Sequence, residues 1–207
     1  AGYRIDKITS EKNAHKIIIG SEGTLGIILT AKLKIIDNPK SRILFIIEHN
    51  SIFEAAKNSI EINKTKPSTL EFVDKNTLKQ IKFNFSKKAK CLLFVEYDEN
   101  IKNSEKEIIL KNSGKIIQKL TRNADMSKWW KHRDASLHYS LKSIKKEKRV
   151  PHIIEDAAVP VEKISNLFSA LKKIEKKYKT KIISYGHIGN GNIHVRLIME
   201  KNETKII

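Results

Sequence analysis

Hydrophobic residues cluster along this chain in short runs that alternate with stretches in which an apolar residue recurs every three or four positions. Short continuous or alternating runs are typical of β-strands, and the longer period is typical of amphipathic helices. The runs predict strands at 27–36, 43–48, 70–74, 91–98, 114–120, 181–187 and 192–199, with an extended segment at 149–160. The other stretches predict helices at roughly 51–63, 124–145 and 161–178, and shorter ones after residues 74 and 98.

Local signals at the ends of these elements indicate how they are joined. Ser51 and Glu54 have the spacing of a helix capping box, and Asn38-Pro39 ends the first strand. Asn190-Gly191 is typical of a tight hairpin between the last two strands, and a tight hairpin is antiparallel. Alternating strands and helices could form a parallel α/β sheet, but the hairpin favours an α+β fold, in which an antiparallel sheet has its helices packed on one face.

Composition indicates which kinds of binding partner to expect. The net charge is +18 over 207 residues, as is typical of nucleic-acid-binding proteins, yet only six of the 41 basic residues are arginine. Arginine is the residue that reads bases and forks onto phosphates, and the lysines are spread along the whole chain. We therefore expect a solvated basic surface that steers anionic substrates rather than a nucleic-acid partner.

Cysteine content and hydropathy indicate the compartment. Cys91 is the single cysteine, so no intrachain disulfide can form, which fits a reducing, cytoplasmic compartment. No apolar stretch reaches the length of a transmembrane segment. The chain opens with AGYRIDKI, which is typical of the middle of a protein, so a longer parent chain is expected.

The first motif with chemical content is a glycine-rich heptad. Three glycines in seven residues permit positive φ and close approach of a ligand, and backbone amides with two hydroxyls can hold a phosphate. The alternative is a plain turn between two elements, which this motif alone does not exclude. The candidate cofactor-binding residues are Gly20, Ser21, Glu22, Gly23, Thr24, Leu25 and Gly26.

The second motif is the hairpin YGHIGNGNIHV at 185–195. With Asn190-Gly191 at its tip, His187 is predicted to lie directly opposite His194, on one face of the sheet and close enough to share a metal ion. Arg196 lies two residues further along and shares that face. The alternative is a pair of partly exposed histidines at the end of a hairpin.

The third feature is an arginine within an apolar helical stripe. The steps between the five residues of this stripe are 4, 3, 4 and 4, which place Arg133 facing inward. An inward arginine needs an anion, either a substrate carboxylate or an internal partner such as Glu155 or Asp156. The stripe consists of Met126, Trp130, Arg133, Leu137 and Leu141.

These motifs together resemble one family. GSEGTLGII is similar to the end of the FAD-binding domain of the flavoproteins that include vanillyl-alcohol oxidase, and YGHIGNGNIHV resembles the GHxGDGNxH signature of the FAD-linked oxidase C-terminal domain. EDAAVPVEKI resembles the ED-x-AVP segment, and WWKHR resembles the W-x-x-R helix. Their order and spacing resemble the branch of the glycolate oxidase flavoprotein subunit and D-lactate dehydrogenase.

The resemblance implies an FAD-dependent oxidoreductase that oxidises a small 2-hydroxy acid of the glycolate or D-lactate type by hydride transfer to flavin. It implies that 1–38 is the remnant of an FAD-binding domain and that 41–207 is a ferredoxin-like cap domain, incomplete at its C-terminus. By the same resemblance, His187 and His194 bind Zn or another divalent metal, and Arg133 binds the substrate carboxylate. Because Arg196 shares the face of the histidines, we expect it to help neutralise that carboxylate.

Departures from the family pattern define what else is expected. Asn190 stands where the family has Asp, so a charge behind the metal ligands is lost. The larger part of the FAD domain and a distal SxEHGxG segment are expected from the same or a separate chain, and an electron-acceptor subunit could attach the protein to a membrane. The alternatives are a related flavoenzyme acting on an aryl alcohol or an ether lipid, and a basic nucleic-acid-binding module.

Overall fold

The computed structural model describes residues 3–101, 104–142, 144, 146–151 and 155–200. Contacts group the chain into two compact units, one that ends at Asn38 and one that begins at Pro39. The assignment of the first unit to an FAD-binding domain stays a prediction. In the described residues, no helix is both long enough and apolar enough to cross a membrane.

The first unit contains two 3-10 helices, Ile5–Lys7 and Glu11–Ile18, followed by the glycine-rich heptad. The strand predicted at 27–36 is wrong, because these residues form no strand and are exposed. Alternating hydrophobicity indicates a segment that could join a sheet. A strand is stable, however, only when its backbone groups form hydrogen bonds with a neighbouring strand. The described part of this unit offers no such neighbour.

The second unit is built on one mainly antiparallel sheet with helices, and the predicted α+β fold is confirmed. The strands predicted near 43–48, 70–74, 91–98, 114–120, 181–187 and 192–199 are all present. In the segment predicted to be extended at 149–160, a short strand ends at residue 149 and another lies within it, and residues 152–154 are outside the described residues. The strands are β1 Ile43–His49, β2 Thr69–Asp74, β3 Cys91–Tyr97, β4 Lys115–Leu120, β5 Lys148–Arg149, β6 Asp156–Ala158, β7 Lys181–His187 and β8 Asn192–Glu200.

The strand order shows that the sheet consists of a four-stranded unit and a hairpin joined edge to edge. The order is β4-β1-β3-β2-β7-β8-β5, with β6 also paired to β8, and every pairing is antiparallel. The first four strands, in the order 4-1-3-2 with a helix after β1 and another after β3, form a ferredoxin-like unit. The β7–β8 hairpin extends this sheet through β2.

Within the described residues, six α-helices accompany the sheet: α1 Ile52–Lys64, α2 Lys75–Leu78, α3 Glu105–Asn112, α4 Asn123–Asp134, α5 Ser136–Lys142 and α6 Ile164–Tyr178. Short 3-10 helices also occur at Val161–Lys163 and Ile188–Asn190. Ser51 caps α1 as predicted, although its hydroxyl accepts from the amide of Phe53 rather than that of Glu54.

Helices are not confined to the predicted single face. One hydrophobic core joins alternate residues of β1 and β3 to α1, α3 and α6, and a second core joins the intervening residues to α2, α4, α5 and the segment that follows α2. The second layer has a clear physical reason. β1 and β3 are apolar at successive positions and buried throughout, so a bare second face would leave Leu44, Ile46 and Phe94 in water.

The long helix predicted at 124–145 is wrong. It is divided at Ala135 into α4 and α5, and the apolar stripe does not stay buried beyond the break. Met126 is buried, whereas Leu137 and Leu141 are 39% and 47% exposed. Of the two tryptophans of α4, Trp129 rather than Trp130 is buried against the sheet. The ring of Trp129 packs against the rings of Phe83 and Phe94.

The turn of the β7–β8 hairpin requires glycine at one position. Gly191 has φ +74°, and a Cβ there would lie 1.9 Å from the carbonyl oxygen of Val159. The Val159 amide also donates to the Gly191 carbonyl at 3.0 Å. The turn is thereby held against the segment that leads from β6 to α6.

We expect Gly191→Ala to lower the free energy of unfolding by at least about 2 kcal/mol, because it adds a left-handed non-glycine residue and a backbone clash. Urea unfolding followed by circular dichroism measures this loss. Asn190→Ala, in the same turn but exposed, is the matched control and should change the free energy by no more than about 0.5 kcal/mol. Equal losses for the two variants would contradict the proposed steric role.

Candidate functional site

Polar side chains from five elements meet where the ferredoxin-like unit joins the β7–β8 hairpin. They lie on the face of the sheet that α4 covers. The residues are Glu71 on β2, Arg133 on α4, His187 at the end of β7, Asp156 on β6, and His194 and Arg196 on β8.

The register of the histidine pair differs from the prediction. His187 pairs with Asn192 and His194 with Tyr185, so the two histidines are diagonal neighbours rather than directly opposite. The cause is the turn, in which the 3-10 helix Ile188–Asn190 and Gly191 replace a two-residue hairpin loop. The shift is by an even number of residues, so both rings remain on one face, with centroids 5.2 Å apart and planes at 74°.

Gly186 makes room for this arrangement. Its φ is +135°, and a Cβ there would lie 3.0 Å from Cδ2 of His194 and 3.1 Å from the Asn192 carbonyl. The ring of His194 therefore lies over the backbone of Gly186, with the ring of Tyr185 beside it at a centroid distance of 5.1 Å. A side chain at 186 would require the ring of His194 or the neighbouring backbone of β8 to shift.

Each imidazole is held through Nδ1 by a carboxylate. His187 Nδ1 lies 2.6 Å from Oε1 of Glu71, and His194 Nδ1 is hydrogen bonded to Oδ1 of Asp156. A neutral imidazole that donates from Nδ1 carries its lone pair on Nε2. Neither Nε2 has a hydrogen-bond partner in the described part of the chain, so both lone pairs are free to accept a proton or to bind a cation.

Arg133 meets the histidine site, but through an internal partner. Its Nε and Nη2 donate to Oε2 of Glu71 at 2.9 and 2.6 Å, and Nη2 lies 3.3 Å from Nδ1 of His187. The internal partners suggested by the sequence, Glu155 and Asp156, are wrong. These acids lie on or next to β6, beside β8, whereas α4 packs over β2 and β3.

Arg196 shares the face of His194, as predicted from their spacing of two residues, and is 7% exposed. Its Nη1 forms an ion pair with Oε1 of Glu155 at 2.8 Å, although Nε and Nη1 lack a well-aligned hydrogen-bond acceptor among the described residues. Burial by itself lowers the pKa of Arg196, but hydrogen bonding and attraction from Tyr185 and Glu155 raise it above the ordinary value. Arg196 is therefore a permanent buried cation.

Glu71 is the residue of this site that the sequence prediction missed. Its side chain is 8% exposed, and its two oxygens bind Arg133 and His187 separately. A signal was present in the run LEFVD, because a carboxylate at an inward position of a buried strand needs a cationic or hydrogen-bonding partner.

The glycine-rich heptad forms an exposed turn. Gly20, Gly23 and Gly26 have φ of 82°, 81° and 156°, and a Cβ at any of them would meet nothing within 4 Å. Only Ser21 is buried, and among the described residues only the amides of Ser21 and Thr24 are hydrogen bonded within the turn. The turn thus presents free amide groups, which fits a site that accepts an anionic ligand.

The described residues do not by themselves complete a metal site. They contain no group of three or more histidine, cysteine, aspartate or glutamate side chains placed to hold an ion. Glu71 and Asp156 contact the Nδ1 atoms and so support the rings from behind. Two imidazoles are short of the three protein ligands usual for a catalytic zinc.

Comparison with known proteins gives consistent matches. The profile of the FAD linked oxidases, C-terminal domain, matches residues 38–206. The chain is 29% identical to the glycolate oxidase subunit GlcD of Bacillus subtilis over 93% of its length, and 27% identical to a D-lactate dehydrogenase of Anaerostipes hadrus over 99%. It is 23% identical to a D-2-hydroxyglutarate dehydrogenase of Pseudomonas putida over 98%.

The chain spans less than half the length of these relatives. It covers 43% of the glycolate oxidase subunit, 46% of the D-lactate dehydrogenase and 23% of the D-2-hydroxyglutarate dehydrogenase. The family match at 38–206 includes the histidine hairpin and the helix of Arg133.

We expect Glu71→Gln to lower the free energy of unfolding by about 3 kcal/mol, because the guanidinium of Arg133, whose side chain is 15% exposed, keeps its charge and loses its carboxylate. Urea unfolding at neutral pH measures the effect. Glu61→Gln removes a carboxylate from the exposed Lys64 pair on α1 and should cost no more than about 0.5 kcal/mol. If adding Arg133→Gln to Glu71→Gln restored no stability, the pair would not be coupled as described.

Proposed function

This chain belongs to the family of FAD linked oxidase C-terminal domains, and we propose that it forms the substrate-binding part of an FAD-dependent oxidoreductase that oxidises a small 2-hydroxy acid of the glycolate or D-lactate type. The observation that carries the proposal is the convergence of two arginines and two carboxylate-held histidines on one face of the sheet. A 2-hydroxy acid offers the matching groups, a carboxylate for the arginines and a hydroxyl for an imidazole.

The names of the relatives support this class of substrate. Glycolate, D-lactate and D-2-hydroxyglutarate all carry a hydroxyl on the carbon next to a carboxylate, and they differ only in the group beyond it. The groups that these substrates share, the hydroxyl and the carboxylate, are the two that the site would bind. The described site residues do not indicate which further group the substrate carries.

Arg133 and Arg196 bind the substrate carboxylate in this proposal. Arg133 donates two N–H groups to one oxygen of Glu71, so its guanidinium keeps further donors, and a substrate carboxylate can share it or displace Oε2. Arg196 is held beside His194 by its ion pair with Glu155, and its positive charge would help to neutralise a carboxylate bound next to His194.

His187 and His194 handle the hydroxyl. Glu71 and Asp156 fix the rings through Nδ1, which leaves the Nε2 lone pairs as positions that can accept the hydroxyl proton. When bound, FAD would supply the acceptor for the hydride that leaves C2 of the substrate. The protein orients the hydroxyl and carboxylate so that proton and hydride leave the same carbinol group.

The glycine-rich heptad fits contact with FAD. Its exposed turn has backbone amides without a hydrogen-bond partner among the described residues. A Cβ at any of its three glycines would contact nothing within 4 Å, so no neighbouring group explains the glycines. Their positive φ and open surroundings suit the close approach of a ligand. We assign Gly20, Ser21, Glu22, Gly23, Thr24, Leu25 and Gly26 to this role.

A divalent metal such as Zn is the alternative occupant of the two Nε2 positions, because a ligated Nε2 cannot also accept the hydroxyl proton, and it fits the histidine pair in part. The Nε2 atoms of His187 and His194 would be two ligands, held by carboxylates behind them in the manner common to metal-bound histidines. A third ligand would have to come from outside the described residues. The metal would supply Lewis acidity at the substrate hydroxyl.

Partner chains are part of the proposal. One relative is named as a subunit of glycolate oxidase, which supports an assembly that also contains an electron-acceptor subunit. The remaining part of the FAD-binding domain would come from the same or a separate chain.

We expect the complete purified protein to carry FAD and to lose its visible flavin absorption when glycolate or D-lactate is added without oxygen, because the hydride reduces the flavin. Anaerobic absorption spectroscopy measures this. Acetate and propionate, which lack the hydroxyl, are matched controls and should leave the spectrum unchanged. A protein that binds FAD but is reduced by none of the 2-hydroxy acids would overturn the proposal.

We expect Arg133→Lys in the complete protein to raise KM for the 2-hydroxy acid at least about tenfold, because an ammonium keeps the charge but cannot form the planar fork. Steady-state kinetics measure the change. Arg122→Lys, on an arginine that is 79% exposed before α4, is the control and should leave KM unaltered. An unchanged KM for Arg133→Lys would remove Arg133 from substrate binding.

We expect treatment of the complete protein with a chelator to abolish most activity, and a divalent metal to restore it, if the histidine pair holds a metal. His187→Ala and His194→Ala should then lower the metal content measured by atomic emission. His15→Ala, in the first unit, is the control and should retain the metal. Full activity after complete metal removal would rule out the metal and leave proton acceptance as the role of the histidines.

A further inference from the structure

A sizeable cavity lies on the face of the sheet opposite the histidine site. Its volume is about 470 Å³, within the range of small-molecule sites. It is bounded by the start of α1, the junction of β2 with α2, the start of β7 and one side of α6. Nothing in the function proposed above uses it.

Five lysines from separate parts of the fold border this cavity: Lys75 and Lys79 from α2 and its end, Lys90 before β3, Lys172 on α6 and Lys181 on β7. Lys172 forms an ion pair with Glu175 at 2.5 Å. The other four have no carboxylate partner among the residues that the structure describes. Their convergence on one concave surface creates a local excess of positive charge that the fold itself does not neutralise.

The two carboxylates in the cavity are already satisfied. Asp74 accepts hydrogen bonds from the amides of Asn76 and Ser184 and from the Asn76 side chain, and its burial raises its pKa above the ordinary range. Glu175 accepts from Lys172 and from the amide of Ile182. The five lysines of the lining exceed its two acids by three, so the cavity keeps an excess of positive charge.

Two of these lysines face each other. Hydrogen bonding and charge repulsion from Lys90 lower the pKa of Lys75, with a smaller contribution from Lys79. An arrangement of like charges is unfavourable unless an anion lies between them. A ligand carrying several negative charges would remove the repulsion.

Apolar side chains also line the cavity. They are Phe168 and Leu171 on α6, Ile182 on β7, and Phe53 at the start of α1, a residue that is 41% exposed. A partly exposed ring in a cavity lining offers a surface on which a flat apolar group can stack. The cavity thus offers both ammonium groups and apolar surface.

We propose that this cavity binds a small phosphorylated ligand that carries an aromatic group, as a nucleoside triphosphate does. The lining offers ammonium groups but no arginine, and lysine serves phosphate as a point charge, whereas planar carboxylates are matched best by arginine. The concave shape and limited volume fit a small molecule rather than a nucleic-acid strand. This inference does not depend on the oxidoreductase function.

Titration of the purified protein with ATP tests the proposal, after the protein has been saturated with FAD and the unbound FAD removed, so that any flavin site is filled and no free FAD competes for the cavity. Isothermal calorimetry should give a Kd on the order of 0.1 mM. Lys75→Gln/Lys90→Gln should weaken binding at least about tenfold. Lys173→Gln/Lys176→Gln removes the same charge from lysines of α6 outside the cavity and should change Kd less than about twofold.

Two further probes separate the parts of the ligand. Inorganic triphosphate should bind more weakly than ATP, and Phe53→Ser should weaken ATP but not triphosphate. Absence of ATP binding at millimolar concentration overturns the proposal. So does an equal loss in the two lysine double variants, because that is the result expected of general attraction to a basic surface, including attraction of a nucleic-acid strand.

Discussion

The short pairing of β2 with β7 is the contact on which the candidate site depends. It consists of two residue pairs, Phe72 with Gly186 and Val73 with Tyr185, and it joins the ferredoxin-like unit to the histidine hairpin. The next position along each strand brings Glu71 to His187, at 2.6 Å between Oε1 and Nδ1. A site assembled from separate parts of the fold is therefore aligned by main-chain register, which a side-chain contact alone would not secure.

Glu71 combines structural and chemical roles at this junction. It neutralises Arg133, which a buried position would otherwise disfavour, and it fixes the imidazole of His187. The same carboxylate thus keeps the charge of Arg133 from being buried without a partner. It also leaves Nε2 of His187 without a hydrogen bond among the described residues. A substrate carboxylate that reached Arg133 would meet a guanidinium already oriented by Glu71.

The sheet separates two chemically different faces. Alternate side chains of β7 point to opposite sides, so Tyr185 and His187 face α4 whereas Ile182 and Ser184 face α6 and the lysine-bordered cavity. The β2 strand does the same with Glu71 and Asp74. Ligands bound on the two faces would act on the same two strands, which gives any coupling between them a short physical route.

The sequence by itself determined the strands, the antiparallel hairpin and the likeness to a flavoenzyme family, because hydrophobic period and turn glycines are local properties. It also placed His187, His194 and Arg196 on one face, since that follows from strand alternation. Only the tertiary structure decided the register of the pair, the break at Ala135, the absence of a strand at 27–36 and the partnership of Glu71 with Arg133. Each of these depends on which segments lie side by side, and residues 62 positions apart along the chain carry no local pattern that shows their contact.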